Sequence, residues 1–344
     1  MSDDHPSRSA AIAVDGMGGD HAPDHIVDGA IAAARLLSAE IRLVGSADAL
    51  RTALARHRGL ARLPLTIVEA PDVIGMAEPP AQAVRRKPGA SIRVAVGDVA
   101  GGRAAAVFSA GNTGATVMAA CAQLGLLPGV DRPALATTVP TRRRPAVLLD
   151  AGANAECRPS HLLQFAVMGS VFAQLALGVG EPRVGLLSIG EEETKGNDLT
   201  REAHRLLKAA PVRFLGNIEA RDVYAGDADV IVCDGFTGNV ALKISEGLVE
   251  MVELLLGEEL SGTFTSRVGY LLSRRAFRRF RRRVDYSEYG GALLLGVKGV
   301  TIVGHGRSSA KAVRNAITLG HRFARERLID RVAAGIAGLP VSQS

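Results

Sequence analysis

The chain contains no tryptophan, and aromatic residues make up only 4% of its 344 positions. A single-strand nucleic-acid surface built on base stacking needs aromatics in quantity, so no nucleic acid is expected as a partner. Cysteine is nearly as scarce. Cys121, Cys157 and Cys233 are far apart and form no C-x-x-C pair. That argues against a disulfide framework or a zinc site, and for reduced thiols in a cytoplasmic protein. There is no G-x-x-x-x-G-K-[ST] loop, no G-x-S-x-G elbow and no H-E-x-x-H pair. Walker-type nucleotide binding, serine-hydrolase chemistry and zinc-protease chemistry therefore lack their residues. Asp15, Asp20 and His21 could hold a divalent ion, but no spacing supports one, and no metal is expected. The opening "MSDDHPSRSA" is polar and acidic, unlike a signal peptide.

What is abundant is apolar: 47% of the chain is hydrophobic, which excludes disorder. A net charge of +6 favours anionic partners without naming one. Strand-like runs recur at "AIAVDG", "IRLVGS", "LTIVEA", "AAVFSA", "AVLLDAG", "RVGLLSIG", "VRFLGNI", "DVIVCDG" and "VTIVGHG". Helical stretches separate them, among them Asp24 to Ser38, Thr113 to Leu124, Ser160 to Leu177 and Leu199 to Ala209. Such alternation predicts a mostly parallel sheet covered on both faces, in one α/β domain spanning 1–344. The apolar stretch Leu162 to Gly180 approaches bilayer length. Gln164, Ser170 and Gln174 interrupt it, so it reads as a buried core helix.

Most strands end in a polar, glycine-rich loop, and in parallel sheets ligands bind at the carboxyl ends of strands. The loops are expected to converge on one crevice. "IAVDGMGGDHAPD" begins like a dinucleotide loop, but His21 holds the third-glycine position. Asp15, Gly18, Gly19 and Asp20 are read instead as a substrate wall, with a helix opening near Pro23. "SAGNTGA" places Gly111, Asn112, Thr113 and Gly114 at a helix start suited to phosphate. "GEEETKGND" supplies Lys195, one of six lysines, beside Glu191. Its ammonium can neutralise a phosphate or an oxyanion. Asn154, Asn217 and Asn239 are neutral donors for an oxyanion or substrate amide. Asp234, Thr237 and His305 complete the set, Asp234 and His305 for proton handling or orientation. Cys157 and Cys233 lie in these loops too, and read as small buried residues rather than nucleophiles.

The segment Gly247 to Val284 breaks the pattern. "EGLVEMVELLLGEEL" is amphipathic, and "TFTSRVGYLLSRRAFRRFRRRV" follows with an apolar face among arginines. A helical pair is expected as an insert over 245–290. Leu254, Leu255, Phe264, Val268, Leu271, Leu272, Arg275, Phe277 and Arg278 are its candidate contacts with a membrane or an acidic protein.

Taken in order, "VDGMGGDHAP", "SAGNTGA", "DAGANAEC", "GLLSIGEEETKGN", "FLGNIEARD", "VCDGFTGNVALK" and "YGGALLLGVKG…HGRS" closely resemble the bacterial phosphate acyltransferase family PlsX, from about Ala11 to Arg325. Ser188 departs from the family, where Asn is common, and so does Leu293, where a smaller residue or Pro is usual. The resemblance implies a Rossmann-like three-layer α/β/α fold of the isocitrate and isopropylmalate dehydrogenase type. It implies a homodimer without a cofactor. The implied reaction takes a long-chain acyl-acyl-carrier protein and inorganic phosphate to acyl phosphate and free carrier protein. A membrane glycerol-3-phosphate acyltransferase would consume the product. The insert matches the family's membrane-contacting helices, so the enzyme is expected to be cytoplasmic and peripherally membrane-associated. The rival readings are an NAD-dependent dehydrogenase and a basic lipid- or DNA-binding scaffold. The first lacks its third glycine, and the second leaves the Asn and Gly loops unexplained.

Overall fold

The computed structural model describes residues 11–284 and 290–339. The opening "MSDDHPSRSA" and the end of the expected insert lie outside them. The chain begins β1 (Ile12–Asp15), α1 (Asp24–Ala34), β2 (Ile41–Gly45), α2 (Ala47–Ala55) and β3 (Leu65–Glu69). It continues through α3 (Pro80–Arg86), α4 (Ser91–Ala100), β4 (Ala106–Ser109), α5 (Thr113–Leu124), β5 (Ala134–Val139) and β6 (Ala146–Leu149). Next come α6 (Pro159–Leu177), β7 (Arg183–Leu187), α7 (Asp198–Lys208), β8 (Arg213–Ile218), a 3-10 turn (Ala220–Tyr224) and β9 (Val230–Val232). The long α8 (Gly235–Gly262) and α9 (Phe264–Val284) form a hairpin. β10 (Ala292–Leu295), β11 (Val300–Val303), α10 (Ala310–Arg325) and α11 (Leu328–Ala337) close the described chain.

All eleven described strands form one sheet, in the order β3-β2-β1-β4-β11-β10-β5-β6-β9-β7-β8. Alternate strand residues feed opposite faces, as the two-residue period requires. Ile12 and Val14 enter the core shared with α1, α2, α6, α7, α10 and α11. Ala13 faces the other way, into the core under α3, α4 and α5. The expected three-layer α/β/α arrangement is therefore present. The Leu162 to Gly180 stretch is a core helix as expected: in α6, Phe165, Met168 and Phe172 are buried. It is long and apolar enough to cross a membrane, yet over half of that apolar stretch is buried in the protein.

Two strands were not legible in the sequence, and they decide the topology. β10 pairs antiparallel with both β11 and β5, and β5 pairs antiparallel with β6. The half β6-β9-β7-β8 therefore runs opposite to the half β3-β2-β1-β4-β11. The register places Val14, Phe108, Ile302, Leu293, Ala136, Leu149, Val232, Leu186 and Asn217 on one line across the sheet. Phe108 is one residue from the end of β4, and Leu149 is the last residue of β6. The carboxyl ends of the two halves thus arrive at this line from opposite directions. α5 and α8 both start beside it.

Candidate active site

The loops after β1, β4 and β11 interlock. Asp15 is buried and accepts from Ser109 Oγ at 2.7 Å and from the Met17 amide at 3.2 Å. Burial raises its pKa above the usual carboxylate value, although hydrogen bonds from Ser109 and Ser91 pull the other way. Asp15 is thus committed to the loop's interior. A Cβ on Gly18 would come within 2.5 Å of Asp15 Oδ2 and 2.8 Å of the Gly111 amide, so only glycine lets these loops meet. Gly19, at φ +106°, lies against Ala110 and Gly306. The Asp20 amide donates to Gly306 O at 2.8 Å. Pro23 precedes the first turn of α1 as its N-cap, one position earlier than expected.

Asn112 caps α5, accepting from the Ala115 amide at 3.0 Å. Its Nδ2 donates to Met76 O at 3.1 Å and Glu78 O at 3.0 Å, tying the loop before α3 to this corner. The side chain is spent on structure. What α5 offers to an anion is backbone: Thr113 and Gly114 occupy its first turn, where amides have no partner within the helix. α8 crosses to the same corner. Lys243 Nζ lies 3.1 Å from His305 Nε2 and 3.4 Å from Glu246 Oε2. Burial first, and then Lys243, lower the His305 pKa below its ordinary value. Lys243 escaped the sequence reading, although it ends the quoted motif "VCDGFTGNVALK" and lysine is rare here.

A second group surrounds the ends of β6, β9, β7 and β8. Asp150 accepts from the amides of Leu135, Gly152, Ala153 and Asn154. Asn154 Nδ2 donates to Pro133 O at 2.7 Å and to Asp150 at 2.8 Å. Asp234 caps α8, accepting from the Thr237 amide at 2.8 Å and from its hydroxyl at 2.7 Å. Asn217 is buried between His204 Nδ1, at 2.9 Å, and Glu192 O, also at 2.9 Å. Glu191 faces Arg221. Asn154, Asn217, Asp234 and Thr237 therefore hold loops together rather than stand free for a substrate. Asn239 is exposed beside Gly152, whose φ is +132°. Lys195 is exposed, and its ammonium has no ion pair among the described residues. Ser188 Oγ, at the family departure, is buried with no hydrogen-bond partner among them. Burial pushes the Cys157 thiol up to about 11 and Cys233 well above its usual value, so neither is an activated nucleophile.

The two groups do not merge into one pocket around every expected residue. Six strand steps separate β4 from β7. At about 4.8 Å per step that is roughly 29 Å, more than a lysine side chain spans. By strand spacing, Gly111 to Gly114 and Lys195 thus belong to loops on different halves of the sheet. β4 and β9 are also far apart, but α8 runs back toward β11 and delivers Lys243 to the first group. α8 is continuous from Gly235, ten residues before the expected start of the helical insert at 245. Leu254, Leu255, Phe264, Val268, Leu271 and Leu272 are exposed on the hairpin, as are Arg275 and Arg278. Phe277 is half-buried, its ring 5.3 Å from that of Tyr270.

Residues 10–331 match a family model described as fatty acid synthesis protein. The phosphate acyltransferase of Acidobacterium capsulatum is 52% identical over 95% of this chain and 97% of its own length. That of Heliobacterium modesticaldum is 50% identical, covering 95% and 98%. This chain belongs to the phosphate acyltransferase (PlsX) family. It is a transferase, and the family's chemistry is acyl transfer to phosphate in fatty acid and phospholipid synthesis. Likeness to solved structures supports the fold. A phosphotransacetylase from Streptococcus pyogenes superposes with a TM-score of 0.60 at 17% identity, covering 93% of this chain and 95% of that one. EutD phosphotransacetylase from Staphylococcus aureus gives 0.57 at 16%, covering 92% and 94%.

Proposed function

We propose that this phosphate acyltransferase takes its acyl group from a long-chain acyl-acyl-carrier protein and releases acyl phosphate and free carrier protein. The observation that supports it is the corner at the start of α5. There first-turn amides, backed by the helix dipole, stand beside the loop that carries His305, with Lys243 against it. Phosphate bound by Thr113 and Gly114 would need no covalent enzyme intermediate, and the raised thiol pKa values of Cys157 and Cys233 fit that. Holding phosphate against the thioester turns an encounter into an oriented reaction. A donor to the tetrahedral oxyanion contributes about 3–4 kcal/mol, and Asn239 is the exposed amide among the expected donors.

The carrier protein is acidic, and the arginines of α9 complement it or an anionic membrane. We place the enzyme in the cytoplasm, peripherally membrane-associated through the α8–α9 hairpin. The acyl phosphate would pass there to a glycerol-3-phosphate acyltransferase. The enzyme needs no cofactor in this reading, and it works as a homodimer.

The test is incubation with palmitoyl-carrier protein, with and without inorganic phosphate. Free carrier thiol should appear only with phosphate, matched by acyl phosphate trapped as hydroxamate. Thiol release that ignores phosphate, or none at all, would overturn the reading.

A further inference from the structure

Acyl transfer to phosphate leaves one proton to be moved. An oxygen of hydrogenphosphate attacks the thioester carbon, a C–O bond forms and the C–S bond breaks. The acyl phosphate leaves as a dianion, so the phosphate hydroxyl gives up its proton. The carrier leaves as a thiolate and needs one. A side chain beside both atoms can take the first and supply the second.

The loop after β11 presents such a group. His305 is half-exposed, with Nε2 3.1 Å from Lys243 Nζ. Glu246 Oε2 lies 3.8 Å from the same nitrogen. Arg307 flanks it on its own loop, and Asp20 faces it from the loop after β1. The position is tied to the anion-binding corner by consecutive contacts. Gly306 accepts from the Asp20 amide and lies against Met76, and Met76 O accepts from Asn112 at the start of α5. An ammonium facing an imidazole is not a structural ion pair. It favours the neutral ring, which is the form that accepts a proton.

We propose that His305 is the catalytic proton carrier of this enzyme and that Lys243 is its phosphate-sensing partner. When phosphate binds at the start of α5, the Lys243 ammonium turns to the dianion and frees His305 Nε2. That nitrogen takes the proton from the phosphate oxygen and returns it to the departing sulfur. The enzyme ends as it began, and no further reactant is needed. The assignment rests on the acyl-carrier-protein reading above.

The experiment follows palmitoyl-carrier protein turnover from pH 5 to 9 in wild type, His305→Gln, Lys243→Gln and Glu246→Gln, each with a melting curve. His305→Gln should lower kcat about 100-fold or more and change the phosphate KM little. The acid limb of kcat/KM should lie below the ordinary histidine value in wild type, because burial and Lys243 depress the pKa. Lys243→Gln should move that limb up and raise the phosphate KM. Glu246→Gln should move it down, since Glu246 favours the charged ring. A merely structural role predicts no opposed shifts. If His305→Gln folds and keeps kcat within about threefold, or the limbs stay fixed, the relay is wrong. If His305→Gln does not fold, the opposed shifts of the other two variants decide. Wild type lacking phosphate-dependent thiol release would instead sink the substrate reading. Normal wild type beside an unimpaired His305→Gln sinks only the relay.

Discussion

Asn112 and Lys195 sit in loops of the same glycine-rich character, and at the residue scale they have opposite roles. Asn112 spends its amide on a helix cap and two carbonyls. Lys195 is exposed, without an ion pair among the described residues. Lys195→Ala should therefore leave unfolding free energy within about 0.5 kcal/mol of wild type. Turnover should fall, as expected of an ammonium that meets an anionic substrate; equal turnover and equal stability would remove Lys195 from the site. Asp229 is the contrary case. It is buried and accepts from the Arg183 amide at 2.9 Å, Arg183 Nε at 2.9 Å and Arg144 Nε at 3.0 Å. Burial alone would raise its pKa, but the hydrogen bonds and charge of Arg183, with Arg144, bring it below the usual aspartate value. A lowered folded-state pKa stabilises above the unfolded value and is lost as pH falls through the folded one. Asp229→Asn should cost about 2–3 kcal/mol at pH 7, with both arginines partly exposed. Urea titrations should show the gap starting to close near pH 3.8, the ordinary aspartate value, and narrowing further as pH falls. A gap that stays constant to pH 3 would contradict the assignment.

At the scale of elements, periodicity served well where an element is long or strongly apolar. Thr113 to Leu124 was read to the residue, and nine strands were found. β5, "ALATTV", and β10, "ALLL", were missed. Four of the six residues of the first are alanine or threonine, and the second is four residues between glycines, so neither carries a clear strand signal. Both owe their conformation to pairing on either side. The α8–α9 hairpin makes a separate prediction. Leu254, Leu255 and Phe264 are exposed toward its turn, and Leu271 and Leu272 on α9. Such area with flanking arginine suits an interface-lying helix, each charge adding about 1 kcal/mol near anionic lipid. Phe264→Ser with Leu271→Ser and Leu272→Ser should abolish flotation with phosphatidylglycerol vesicles while solution turnover persists. Unchanged flotation would refute membrane contact through this element.

For the whole molecule, α8 carries Phe236, Val240, Ile244, Leu248 and Met251 exposed at steps of four and three. That stripe fits the expected homodimer, with a second copy of α8 as its cover. Ile244→Arg should convert a dimer to a monomer by light scattering; an intact dimer would place the interface elsewhere. By itself the sequence determined the alternation of strands and helices, the glycine-rich strand ends, the helical pair and, through seven ordered motifs, the family. These depend on local periodicity and on residue types with few physical uses. Only the tertiary structure decided which loops meet. β10 and β5 reverse half of the sheet, so the carboxyl ends face one another across a line instead of sharing one edge. Lys195 thereby falls on the far side, and Lys243, two turns along α8, arrives beside His305. Strand direction is set by pairing between segments distant in the chain, and that pairing leaves no mark on the residues nearby.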